Sequence, residues 1–178
     1  MKAFAIAILL LVPTIALAQH AQPYAGQDSR VIKALSAQET ADLLAGRGMG
    51  LAKAAELNSY PGPLHALELR EALGLDATQV AALEDQKGRM ADAAKTLGQR
   101  IVSAERELDR LFAERRIDAA TLQARAEEIG RMQGQLRAVH LATHLETRAV
   151  LSEAQVRRYD ELRGYAGITP APQHRHRH

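Results

Sequence analysis

The stretch "LDATQVAALEDQKGRMADAAKTLGQRIVSAERELDRL" runs from Leu75 to Leu111. Leu83, Met90, Leu97, Ala104 and Leu111 recur every seven residues, and Val80, Ala94, Ile101 and Leu108 fall three or four residues between them. That spacing lays one apolar stripe along an amphipathic helix of roughly eight or nine turns. Asp76 and Gln79 frame its start as a capping box, in which the side chain at the N-cap and the one three residues on satisfy each other's backbone amides. The helix is expected to end around "AERRID", where Arg115 and Arg116 complement the helix dipole.

Beyond it, Asp118 is the N-cap of a second long helix, with Leu122, Ala126, Ile129, Leu136, Val139 and Thr143 as the expected apolar stripe. Gly130 and Gly134 on this helix permit either close helix approach or flexibility. "LSEAQ" (Leu151 to Gln155) caps a short helix that reaches about Arg163. On the N-terminal side, "SAQE" (Ser36 to Glu39) is another capping box. The helix it starts is broken by "GRGMG" (Gly46 to Gly50) and resumes through "LAKAAEL". "NSYPGP" is a turn, and Pro63 suits the first position of a helix through "LHALELREAL" that stops near Gly74. "GRGMG" lacks both the preceding strand and the following Lys-Ser/Thr of a phosphate loop, so it reads as a helix break. No strand-type alternation occurs. The fold is expected to be all-α: an antiparallel hairpin of two long helices, with shorter helices covering its seam.

The ends carry other signals. "MKAFAIAILLLVPTIALAQH" has one lysine, a short apolar run and Ala16-Leu17-Ala18, the pattern of a signal peptide over residues 1–18. An uncleaved membrane anchor is the alternative. Residues 19–35 read as a flexible lead-in, 36–165 as the helical domain, and 166–178 as a disordered His/Arg tail. Cysteine is absent, so neither disulfides nor thiol chemistry are available. The formal charge of +2 includes Lys2 of the leader, and only 3% of residues are aromatic. A balanced, aromatic-poor, exported chain is not expected to bind nucleic acid. It has no G-x-S-x-G elbow and no H-E-x-x-H pair, and is not expected to be an enzyme.

"LGLDATQ" (Leu73 to Gln79) and "LSEAQ" resemble the paired L-T-x-x-Q signatures of the Spy/CpxP family, with Asp76 where that pattern has Thr. The resemblance covers about residues 24 to 165 and extends to the CnrX-like periplasmic metal sensors. It implies a four-helix hooked bundle, often a homodimer, in the periplasm. It also implies an ATP-independent chaperone or stress adaptor for unfolded periplasmic proteins, or a metal-responsive sensor coupled to a membrane signalling partner. A purely structural helical oligomer is a further alternative. No cofactor is required; a divalent Zn, Cu, Ni or Co ion is the group such relatives would hold.

"RAVHLATHLE" carries the chemistry. His140 and His144 lie one helical turn apart, a spacing that offers two imidazoles to one ion. It is equally the spacing of two ordinary, partly buried histidines hydrogen-bonded within the seam. If the hairpin folds about Arg116, position 140 faces about 92 and 144 about 88, which brings Met90 onto the facing stripe. His65 and Glu68 of "LHALEL" are the other candidate ligands. Met90 also reads as core filler, and Glu68 as a solvated charge. His174, His176 and His178 in the tail suit loose metal capture.

Overall fold

The computed structural model describes residues 22–165, and among them there is no β-strand. The chain is all-α. Its helices are α1 (Ala37–Ala45), α2 (Lys53–Glu56), α3 (Pro63–Glu68), α4 (Arg70–Leu73), α5 (Ala77–Ala113), α6 (Ala119–Val150) and α7 (Glu153–Leu162). The signal-peptide and tail segments lie outside the described residues.

Local chemistry sets most of these boundaries. Ser36, Asp76 and Ser152 each form a complete capping box with Glu39, Gln79 and Gln155, and the Asp118 side chain accepts from the Thr121 amide. Such a cap contributes about 1 kcal/mol. Gly46 and Gly74 end α1 and α4 in the left-handed conformation that glycine adopts without steric cost. Pro63 opens α3 as its sequence suggests, but the segment expected to be continuous to Gly74 is interrupted at Leu69, with φ −98° and ψ 12°.

At a rise of 1.5 Å per residue, α5 is about 55 Å long. It packs against α6 with opposite chain direction. Arg89 pairs with Glu146 at 2.9 Å, Thr147 donates to Gln86 at 3.1 Å, and Gln79 donates to the Val150 carbonyl at 2.9 Å. Two apolar clusters hold the chain together. One joins Ile32, Leu43, Ala94, Ile101, Val102, Ile129, Met132 and Leu136. The other joins Ala66, Leu73, Leu83, Leu151, Val156 and Tyr159. Fully burying an aliphatic side chain of this kind contributes about 1.5–3 kcal/mol. Ile32 anchors the lead-in: residues 22–35 are irregular, yet Ile32 is buried and the Lys33 amide donates to Asp109.

The α6 stripe differs from its expected course. Ile129, Met132, Leu136, His140, Thr143, His144 and Thr147 are buried, whereas Leu122 is 40% exposed and Val139 is only half-buried. Between the two apolar clusters, α6 therefore presents a polar inner face. Nor do Gly130 and Gly134 mediate close approach, since a Cβ at either would meet nothing within 4 Å. Gly98 on α5 does: a Cβ there would lie 1.9 Å from the Leu43 carbonyl oxygen of α1.

Candidate functional site

The polar stretch of α6 faces a cavity of about 350 Å³. His140 and His144 form one wall and Met90 of α5 another. The loop of Gly48, Met49 and Gly50, the short α2 with Lys53 and Glu56, and the start of α3 with His65 enclose the rest. Four of the five expected ligand candidates thus share one cavity. Glu68 is not among them: it is exposed and borders a separate pocket formed by residues 67–72. On a short helix it points away from the side that carries the buried Ala66.

The carboxylate in the cavity is instead Glu56, whose side chain is only 12% exposed. Its Oε1 accepts from the Tyr159 hydroxyl at 2.5 Å and from the Tyr165 hydroxyl at 3.2 Å. Arg163 Nε and His65 Nδ1 each lie 3.5 Å from the same oxygen, and His144 Nδ1 lies 3.7 Å from Oε2. Glu56 therefore ties α2 to α3, α6 and the C-terminal helix. Burial first, and the hydrogen bond to Glu56 second, push the Tyr159 hydroxyl far above its ordinary pKa, so it remains a donor.

The two α6 histidines are held differently. His144 Nδ1 lies 2.7 Å from the Tyr60 carbonyl oxygen, which can only accept. That bond fixes the proton on Nδ1 and leaves the lone pair on Nε2 when the ring is neutral. Gly62 makes room for this ring, because a Cβ there would sit 2.9 Å from its Cε1 and 3.0 Å from Nε2. His140 is 3% exposed, and its Nε2 is buried without a hydrogen-bond partner. Burial, reinforced by repulsion from His144, pushes its pKa below the ordinary histidine value and keeps the ring neutral. Glu56 Oε2 is a second buried polar atom with no hydrogen bond.

Orphaned buried polar atoms are uncommon and costly. Here two residues that each carry an orphaned polar atom, the imidazole of His140 and the carboxylate of Glu56, line one cavity. These donors suit a cation. Yet among the described residues no three His, Cys, Asp or Glu side chains converge tightly enough to hold an ion by themselves. Any ion held here needs a further type of donor or a side-chain movement.

Sequence reading missed Glu56 because its partners Tyr159 and Tyr165 lie 103 and 109 residues away. The only local signal was a lone carboxylate just before "NSYPGP". Met49 was hidden within what read as a helix break. No helix among the described residues is long and apolar enough to cross a membrane. No family model, curated protein or solved structure matches the chain.

Proposed function

We propose that the chain is an exported, metal-responsive helical binding protein of the Spy/CpxP type, acting in the periplasm and not as an enzyme. The observation that carries this reading is the shared cavity. The α6 pair His140 and His144 borders one space with His65 and Met90, which come from distant parts of the sequence, together with the carboxylate of Glu56. The two glutamine-containing capping boxes support the family resemblance and its hooked-bundle arrangement. Gln79 and Gln155 exchange amide hydrogen bonds of 2.9 and 3.0 Å, joining the start of α5 to the start of α7. An ion in the cavity would bridge α6 to α2 and α3, and so offers a way to signal occupancy to a membrane partner or a second copy of the chain.

Calorimetric titration of the full chain with Zn, Ni, Co and Cu ions tests this reading. Binding is expected to persist when His174, His176 and His178 are replaced by alanine and to be lost in the pair His140→Ala, His144→Ala. Loss with the tail substitutions alone would leave only a sticky tail and refute the reading.

Chaperone activity is the second reading, favoured by the α5–α6 turn. Phe112 and Leu122 are 52% and 40% exposed there, beside the charged cluster of Arg110, Glu107 and Glu114. Apolar side chains among charges suit weak, reversible capture of unfolded chains. Suppression of client aggregation without ATP, weakened by Phe112→Ser with Leu122→Ser, is the expected result.

A further inference from the structure

We propose that the cavity selects a soft monovalent ion, cuprous or silver, held by the Met49 and Met90 thioethers together with the His140 imidazole. This rests on the metal-binding reading above and extends it to the class of ion and to Met49, a ligand that the sequence did not suggest.

The chain has four methionines. Met1 belongs to the leader, and Met132 is 1% exposed within the main apolar cluster. The remaining two, Met49 and Met90, both border the cavity that His140 also lines. They reach it from unrelated parts of the chain, one from a loop and one from the middle of α5. Met90 follows from the α5 stripe, but Met49 does not. Met49 is 43% exposed and adopts a left-handed backbone with φ 44°, between two glycines that would take that conformation without strain. Strained residues of this kind persist where the surroundings over-determine them, commonly at ligand clamps.

The other donors argue against a harder ion. Zinc takes at least three nitrogen, oxygen or thiolate ligands from the protein, and no such trio converges among the described residues. Glu56 is partly engaged, because Tyr159 and Tyr165 occupy its Oε1. Lys53 also borders the cavity, and its ammonium group disfavours a divalent ion more than a monovalent one. Thioethers select Cu(I), and imidazole accepts copper as well. A d10 monovalent ion is content with few ligands, so two thioethers and one neutral imidazole suffice.

The test uses the full chain with His174, His176 and His178 replaced by alanine. Cu(I) is supplied anaerobically in competition with a chromophoric chelator, Ag(I) serves as a redox-inert probe, and Zn(II) and Ni(II) are titrated in parallel. One Cu(I) per chain is expected, with sulfur scatterers in its X-ray absorption spectrum. Met49→Leu and Met90→Leu preserve volume, and circular dichroism checks that they fold. Each is expected to weaken Cu(I) at least roughly tenfold, the scale of loss seen when even supporting groups of metal sites are removed. Zn(II) or Ni(II) binding that needs His140 and His144, with Cu(I) affinity unchanged in both methionine variants, would overturn the soft-ion inference and leave the metal-binding reading standing. No binding of any ion by the chain without tail histidines would overturn both.

Discussion

At the scale of single residues, Glu56 and His140 carry the site. Glu56, at 12% side-chain exposure, receives hydrogen bonds from two tyrosines and stands near Arg163, His65 and His144. Hydrogen bonds to a buried charge are stronger than neutral ones. Glu56→Gln keeps the shape but removes the charge, and is expected to cost about 1–3 kcal/mol in urea unfolding. A variant as stable as the parent would show that the charge is not what anchors Tyr159. His140 gives a prediction in pH. Its folded pKa is depressed by burial and by His144. The unfolded ring titrates near its ordinary value of about 6.5, so below that pH the unfolded state binds the extra proton. Stability should therefore fall as pH drops from about 7 toward 5, because the unfolded state is the better proton acceptor. His140→Leu should flatten this dependence. A parent profile that rises over the same interval would contradict the assignment.

At the scale of elements, what the sequence made legible was local. The caps at Ser36, Asp76, Asp118 and Ser152 join residues three apart, so their chemistry stands in the sequence itself. The α5 stripe was legible for the same reason: apart from Gln86, its buried residues are non-polar, and Leu83, Ala94, Ile101 and Leu111 follow the expected period. On α6 the expected stripe held at Ile129, Leu136 and Thr143 and the histidine pair is buried, but Leu122 and Ala126 are exposed and Val139 is half-buried, while Met132 and Thr147 are buried in their stead. Thr143 satisfies its hydroxyl on the Val139 carbonyl, and Thr147 does so on Gln86. Burial there depends on partners that no periodicity encodes. Glycine gives the sharpest contrast between helices. Gly98→Ala must push the α1 backbone at Leu43 away, and overpacking of this kind costs about 1–3 kcal/mol. Gly130→Ala and Gly134→Ala meet open space and should instead stabilise α6 by up to about 1 kcal/mol each. Denaturation midpoints of the three variants measure both signs. A stabilised Gly98→Ala would mean that α1 does not sit against α5 as described.

At the scale of the whole molecule, the support is lopsided. One end of the α5–α6 pair is covered by α3, α4 and α7, whose side chains form the second apolar cluster and surround Glu56. The middle is covered by α1 through Leu43 and by Ile32. From Ser103 to Ala120, by contrast, Leu111 is the only buried residue, and Phe112 and Leu122 lie open to solvent. Local opening is governed by how much buried apolar contact must be broken. Hydrogen exchange should therefore show a gradient along the pair. Amides of residues 105–125 should exchange through low-energy local opening, while those of residues 80–102 and 132–150 should exchange only near the global unfolding limit. An ion in the cavity would touch α6, α5 and the loop that bears Met49, all away from the turn. Its binding should slow exchange around residues 48–65 and 136–148 and leave the turn at 114–118 unchanged. Mass spectrometry of exchanged peptides, with and without Cu(I), reads both effects. Uniform protection along α5 and α6 would show that the two clusters do not divide the molecule. Protection that spread to the turn would show that the pair opens and closes as one rigid unit.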